Sequence, residues 1–334
     1  KAVEGSSYYA SPLLYKENGF KEKVHAEKLI EDLTNKTAIV KTVDKGISKK
    51  RAPLLFNLAE LQAECSKRFK ISPDETLQVA QDLYERKLTT YPRTDARVLS
   101  SAVAKEISKN IRGLRSFEPV APFVQNIVEH GLYKNIGKSS YTDDSKITDH
   151  YAIVPTGQVN EYKSLTELQK RVYELIVRRF LSIFYPPAQY QTVKLTIGIE
   201  KESFFAGAKV LKVPGYLEIA GRPDTKEKRE KEDGDGEENN PKNSAALLKL
   251  ADSLKEGDTA EVKEFLVKEG KTSPPKRYTS GSMVLAMENA GQLIEEEELR
   301  EQIKGSGIGT SATRAEIIKK LVRIGYLAFD KKKQ

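Results

Sequence analysis

The stretch Leu88-Thr-Thr-Tyr91-Pro92-Arg93-Thr94-Asp95 sets a phenol, a guanidinium and a carboxylate at alternate positions within five residues. A phenol ionises near pH 10, so it is a poor nucleophile until a cation, a metal or a base stabilises the phenolate. Pro92 biases Tyr91 away from helical geometry, which presents the phenol at a corner where a helix gives way to a loop. Arg93 lies two residues on and shares a face with Tyr91 if the segment is extended. Its fork suits a phosphate under attack, and Asp95 is placed to orient that fork. On bare residue types alone, a Tyr next to a Pro is usually a packing or turn residue, and catalysis is the rarer reading.

Two further stretches carry chemistry. His150, in Thr148-Asp149-His150-Tyr151, suits hydrogen-bond donation or proton shuttling near neutral pH. The alternative is a surface His before a strand, the reading taken for His25 and His130. Gly305-Ser306-Gly307-Ile308-Gly309-Thr310-Ser311-Ala312-Thr313-Arg314 is a Gly-rich loop feeding a Thr-capped helix, whose free amides and dipole suit a phosphate. Asp233-Gly-Asp235-Gly-Glu237 alternates carboxylates as a cation site would, but it lacks EF-hand spacing and a preceding apolar strand. It is read as a solvated acidic loop.

These groups need elements to hold them. Thr76–Lys87 reads as a helix with Leu77, Ala80, Leu83 and Tyr84 on one face, directly ahead of Tyr91. Leu165–Phe184 is a longer helix, stopped by Pro186-Pro187. Thr192–Ile199 alternates strictly, with Phe205–Val213 as its partner strand; Thr259–Val267 is a further candidate. Arg314–Ile324 is amphipathic and closed by Gly325. Residues 222–246 read as a linker or exposed loop.

Of 334 residues, 56 are Lys or Arg and 48 are Asp or Glu, a net charge of +8. That total conceals an uneven distribution. Residues 222–240 carry a net −3 and residues 288–301 a net −5, which leaves +16 on the rest; residues 86–115 hold eight basic against two acidic side chains. Such a surface suits a polyanion, nucleic acid first, with a Lys-rich solvated surface as the alternative. No apolar run approaches the roughly 18 residues of a membrane span. The single Cys65 excludes a disulfide framework and a multi-Cys zinc module within these residues, and it fits a reducing compartment.

Thr89-Thr-Tyr91-Pro-Arg93-Thr-Asp95 resembles the active-site signature of the type IA DNA topoisomerases, in the Pro form of their topoisomerase III group. Two other runs resemble the same family in the same order. His150-Tyr-Ala-Ile-Val-Pro155-Thr156 is similar to its His-x-(Ala/Gly)-Ile-x-Pro-Thr segment, with Tyr151 where a second His is common. Residues 307–318 are similar to its GIGT-x-ATRA-x-II run. Weaker likenesses lie at Tyr278-Thr-Ser280 and at Lys49 to Gln62.

The resemblance implies an α+β multidomain fold, a segment of a toroid. Residues 1–56 and 188–276 would form a β-rich arch with an acidic exposed loop at 222–246. Residues 57–187 would form the mainly helical Tyr-bearing domain, and 277–334 a helical base contacting single-stranded DNA. It implies catalytic roles for Tyr91, Arg93 and His150, and DNA or phosphate contacts from Thr94, Asp95, Thr156, Gly307, Gly309, Thr310, Ser311, Thr313 and Arg314. The implied reaction is single-strand cleavage through a 5′-phosphotyrosyl link, strand passage and religation. Mg²⁺ is expected through an N-terminal Toprim domain, for which no Asp-x-Asp strand end occurs here; with Lys1 opening the chain, a fragment inactive by itself is expected. The implied partners are single-stranded DNA and a duplex passed through the ring, for a monomer in the bacterial cytoplasm with the chromosome or a plasmid. A non-catalytic single-stranded DNA-binding protein on the same scaffold is the alternative. A tyrosine recombinase is disfavoured, because its Tyr comes late in the Arg-His-Arg-Tyr order.

Overall fold

A computed structural model describes residues 2–16, 19–221, 241–294, 296–302 and 307–329. In chain order the elements are α1 (Lys23–Leu33), β1 (Ala38–Lys50), α2 (Leu58–Phe69), α3 (Pro73–Glu85), α4 (Ser101–Gly113), α5 (Ala121–Glu129) and α6 (Glu167–Ser182). There follow β2 (Ala188–Ile199), β3 (Glu202–Val213), the single turn α7 (Leu217–Ala220), α8 (Pro241–Ser253), β4 (Thr259–Ala260), α9 (Ser280–Glu288), α10 (Glu297–Gln302) and α11 (Arg314–Arg323). The class is α+β, in two compact units.

One unit comprises residues 1–50, 187–215 and 222–274. Its antiparallel sheet has the order β3-β2-β1-β4. β2 and β3 form a hairpin in register Ile199↔Glu202, closed by two residues with Glu200 at φ 53°. The alternation in β2 does what period two requires: Val193 is buried against Ala208 of β3 and against Leu248 and Ala251 of α8. The long strand β1 pairs with β2 from Ala38 to Lys50, with a bulge at Lys41. At 259–267 only Thr259 and Ala260 form a ladder. Ala260 already lies opposite Ala38, the first residue of β1, so no strand remains for later residues to pair with. Residues 222–240 of the expected acidic loop, Asp233 to Glu237 among them, lie outside the described residues, and 241–246 begin α8 instead. Pro241 opens that helix, where a missing amide costs nothing.

The other unit comprises residues 51–186, 216–221 and 275–334. Helix starts follow side-chain chemistry. Asn57 caps α2 by accepting from the Glu60 amide, Ser72 caps α3 ahead of Pro73, and Thr166 with Gln169 closes a capping box on α6. α6 buries Val172, Tyr173, Ile176, Val177 and Phe180. Truncating Phe180 to Ala would cost about 3–5 kcal/mol. Asp82 of α3 accepts from Gln169 of α6 at 3.1 Å. α9 lies close on α2, with Ser66 and Ser280 hydroxyls 3.3 Å apart, and Ala59, Val284, Met287 and Ile318 share a small core. Arg179 of α6 donates to the Leu54 carbonyl at 3.0 Å and covers the Phe56 ring at 4.0 Å.

Candidate active site

The Tyr91 segment is built outward from the end of α3. Lys87 takes the left-handed conformation at φ 60°, and the Leu88 amide turns back to the Leu83 carbonyl at 2.9 Å, which ends the helix. Residues 88–90 then pair with residues 152–156. The Thr90 amide donates to the Val154 carbonyl and the Thr156 amide to the Leu88 carbonyl, both at 3.0 Å. The Thr90 hydroxyl bridges the pair, donating to the Ala152 carbonyl and accepting from the Val154 amide, each at 3.0 Å. Thr156 donates its hydroxyl to the Lys87 carbonyl at 2.6 Å. Two segments about sixty residues apart thus become one backbone support.

On that support Tyr91 meets His150. Their ring centroids are 4.6 Å apart with planes inclined at 50°, and Tyr84 stands edge-on to Tyr91 at 5.3 Å. An open cleft of about 300 Å³ is lined by these rings with Lys87, Thr90, Tyr151 and Thr156. Tyr151 is half-buried, and burial pushes its phenol above the usual range, so it stays protonated and polar at neutral pH. The chain from 92 to 96 alternates as an extended segment does: Pro92, Thr94 and Ala96 are buried, Arg93 and Asp95 exposed. Thr94 donates its hydroxyl to the His150 carbonyl at 2.8 Å and accepts from the Ala96 amide at 3.1 Å. Arg93 makes no hydrogen bond or ion pair among the described residues.

Asp95 does not turn to Arg93. Its carboxylate takes Nη1 of Arg314 at 2.9 Å, a residue 219 positions away in the first turn of α11. Arg314 is buried, and Oε1 of Glu288 lies 3.8 Å from the same Nη1. Nδ2 of Asn57 donates both to the Asp95 carbonyl at 3.1 Å and to Glu288 Oε1 at 2.7 Å. Burial holds the Glu288 carboxyl above the usual carboxylate range, opposed by Arg314 and reinforced by Asp95.

The Gly-rich loop abuts this group. Ile308 donates to the Met287 carbonyl at 2.7 Å, and a Cβ on Gly307 would fall 2.7 Å from the carbonyl oxygens of Met287 and Glu288, so only glycine passes there. Gly309 has φ 68°. Thr313 is not a conventional cap: its hydroxyl accepts from the Thr310 amide at 2.9 Å rather than from the turn that follows. Ser311 is half-buried beside it. Gly305 and Ser306 lie outside the described residues.

The expected Tyr91, Arg93, Thr94, His150 and Thr156 therefore belong to one stretch of structure around the cleft. Gly307, Gly309, Thr310, Ser311, Thr313 and Arg314 gather at the start of α11, joined to the first group through Asp95. Asn57 and Glu288 were not foreseen. The helix-capping position of an Asn ahead of Leu58-Ala-Glu-Leu-Gln was the available signal for the first; Glu288 stood only as one member of an acidic run. Among the described residues, no three His, Cys, Asp or Glu side chains gather as a metal site. Asp95 and Glu288 already converge on one guanidinium, which does not fit a divalent cation.

A sequence model described as DNA topoisomerase matches residues 4–334. A protein called DNA topoisomerase 3 from Bacillus subtilis (strain 168) is 35% identical over 298 residues, 88% of this chain and 38% of the relative. One of the same name from Bacillus licheniformis is 36% identical over 293 residues, again reaching 38% of the relative, so the chain spans well under half the length of the curated relatives it matches. Among solved structures, full-length topoisomerase I from Thermotoga maritima superposes with a TM-score of 0.57 at 24% identity, over 95% of this chain and 45% of that one. No helix of the described residues is long and apolar enough to cross a membrane.

Proposed function

Because the chain belongs to the type IA DNA topoisomerase family, we propose that it carries the nucleophile of single-strand DNA cleavage and religation. The packing of Tyr91 against His150 in an open cleft supports this reading. The Tyr91 oxygen attacks a backbone phosphorus, the P–O3′ bond breaks, and the 3′ oxygen leaves as a protonated hydroxyl. The product is a 5′-phosphotyrosyl link, and attack by that hydroxyl reverses the step. Arg93, exposed and unpaired among the described residues, is free to grip the phosphate as negative charge grows on its oxygens. His150 donates to the same phosphate or moves a proton. Thr94 fixes where His150 stands, and Thr156 fixes the end of α3.

Mg²⁺ would be held by a Toprim domain, not by the residues described. The arch assignment for 1–56 and 188–276, the Tyr-bearing domain at 57–187 and the base at 277–334 go with the same proposal. So do a monomeric state, single-stranded DNA as the cleaved partner, passage of a duplex, and a bacterial cytoplasmic setting.

The test uses one oligonucleotide labelled at either end. With the chain placed behind a Toprim domain, 3′-label stays attached to protein through denaturing electrophoresis and 5′-label does not. Tyr91→Phe attaches neither. Attachment of 5′-label would overturn the polarity. DNA binding with no adduct in any form would leave the non-catalytic binder. The chain alone is expected to bind single strands and to relax supercoiled DNA poorly.

A further inference from the structure

Arg314 sits where a helix N-terminus and a Gly-rich loop suggest a phosphate ligand, yet its surroundings are those of an internal clamp. Its side chain is 6% exposed and bonded to the Asp95 carboxylate, with Glu288 3.8 Å away. Nε is enclosed without a partner. For Arg314 to reach DNA it would have to leave both acids, abandoning the largely buried Glu288 carboxylate and the half-exposed Asp95. Those acids also cancel the field that a phosphate would feel. The carboxylate it holds belongs to the residue four beyond Tyr91. That short stretch has little slack: Pro92 fixes one dihedral, Thr94 is bonded to His150, and the Leu58 amide takes the Thr94 carbonyl at 3.1 Å. Asn57 closes the arrangement, with its amide nitrogen on Asp95 and Glu288 and its oxygen on the Glu60 amide.

We infer that Arg314, with Asn57 and Glu288, forms a positioning set that clamps Asp95 and so fixes the Tyr91–Arg93 segment against His150, without itself gripping DNA. The inference rests on the topoisomerase reading for its rate readout alone. Arginine rather than lysine is required, because a lysine is one bond shorter and its ammonium stops short of the point where Nη1 meets Asp95 and Glu288. A clamp acts on the rate at saturating DNA, since a small misplacement of reacting groups costs about a hundredfold. A phosphate ligand acts on affinity and its salt dependence.

The experiment compares Arg314→Lys, Asp95→Asn and the double variant in the chain placed behind a Toprim domain. Oligonucleotide affinity is measured across a salt series, and adduct formation at saturating oligonucleotide. The expected result is unchanged affinity and salt slope, adduct formation slowed by about a hundredfold in each single variant, and a double variant no slower than either. Affinity loss with the log–log salt slope reduced by about one, and normal adduct formation at saturation, would make Arg314 a phosphate ligand and overturn the clamp. Additive rate losses would overturn the shared action with Asp95. A readout independent of cleavage is the ring-current shift of the His150 ring protons, set by the Tyr91 ring. It should move in Arg314→Lys and in the half-exposed Asp95→Asn, whose melting temperature reports that the fold is intact. Unmoved His150 signals would overturn the clamp even if the wild-type protein formed no adduct, a result that would instead defeat the topoisomerase reading.

Discussion

Thr94 gives its hydroxyl hydrogen to the carbonyl of His150 at 2.8 Å, tying the residue three beyond Tyr91 to the backbone of the imidazole at its side. The same oxygen receives the Ala96 amide. Thr94→Val keeps the shape and removes both bonds, leaving a buried Ala96 amide and a part-buried His150 carbonyl without that partner. The expected cost is about 1–3 kcal/mol, read from chemical denaturation. Adduct formation should fall with it, and Thr94→Ser should restore both.

Tyr91→Phe removes one oxygen from a ring that also packs edge-on against Tyr84. The variant should fold and bind single-stranded DNA as the parent does while forming no covalent adduct. His150→Gln should retain binding and slow cleavage by about 10²–10⁴. Equal losses of binding and cleavage would place His150 in DNA affinity instead.

Glu288 is held above the usual carboxylate range chiefly by burial. A folded-state pKa above the unfolded value means that this group's contribution is fully present below the unfolded pKa, about 4.3, and is lost as pH rises through the folded value. Glu288→Gln keeps an oxygen for Asn57 and removes the charge. The variant should therefore gain in melting temperature relative to the parent as pH rises from about 4 through the folded value. A gap that narrows over that range would contradict the sign.

Burial pushes the Cys65 thiol up to about 12. The folded chain should resist iodoacetamide at pH 8 and react at once in denaturant. The stability this thiol contributes is intact below its unfolded pKa of about 8.5 and declines as pH climbs toward 12. Mass spectrometry of the alkylated chain gives the first result, and melts of the parent against Cys65→Ala across pH 8–10 give the second.

Much of this fold was legible in the sequence, since α3, α6, β2, β3 and α11 stand within a few residues of where periodicity places them. The site's two rings were legible as well, through the motifs around Tyr91 and His150. What escaped was decided at long range. β1 contains Lys, Asp and Gly with weak alternation, and it is a strand because β2 offers it twelve residues of ladder. The 259–267 segment reads as a strand and yet pairs in the ladder only at Thr259 and Ala260. Asp95 looked like a companion for Arg93 because spacing alone cannot reveal a guanidinium 219 residues away. At Arg314 the helix terminus and the motif suggest a phosphate ligand, and only its burial against Asp95 shows that its charge is already engaged.

The chain between Ser100 and Thr148 leaves and re-enters the same backbone support. The Ala152 amide takes the Val98 carbonyl at 3.0 Å, and the Leu99 amide takes the Tyr141 carbonyl at 2.8 Å. With both ends moored side by side, only the surface turns of the excursion are free to change length, because Asn110 of α4 donates to the Pro155 carbonyl at 2.9 Å and α4 and α5 bury Ile107, Ile111, Val124 and Ile127. Doubling such a turn costs only about 0.6 kcal/mol. Those turns are thus an evolutionary port: descendants can lengthen them, or graft a recognition element onto them, while the phenol and imidazole keep their spacing.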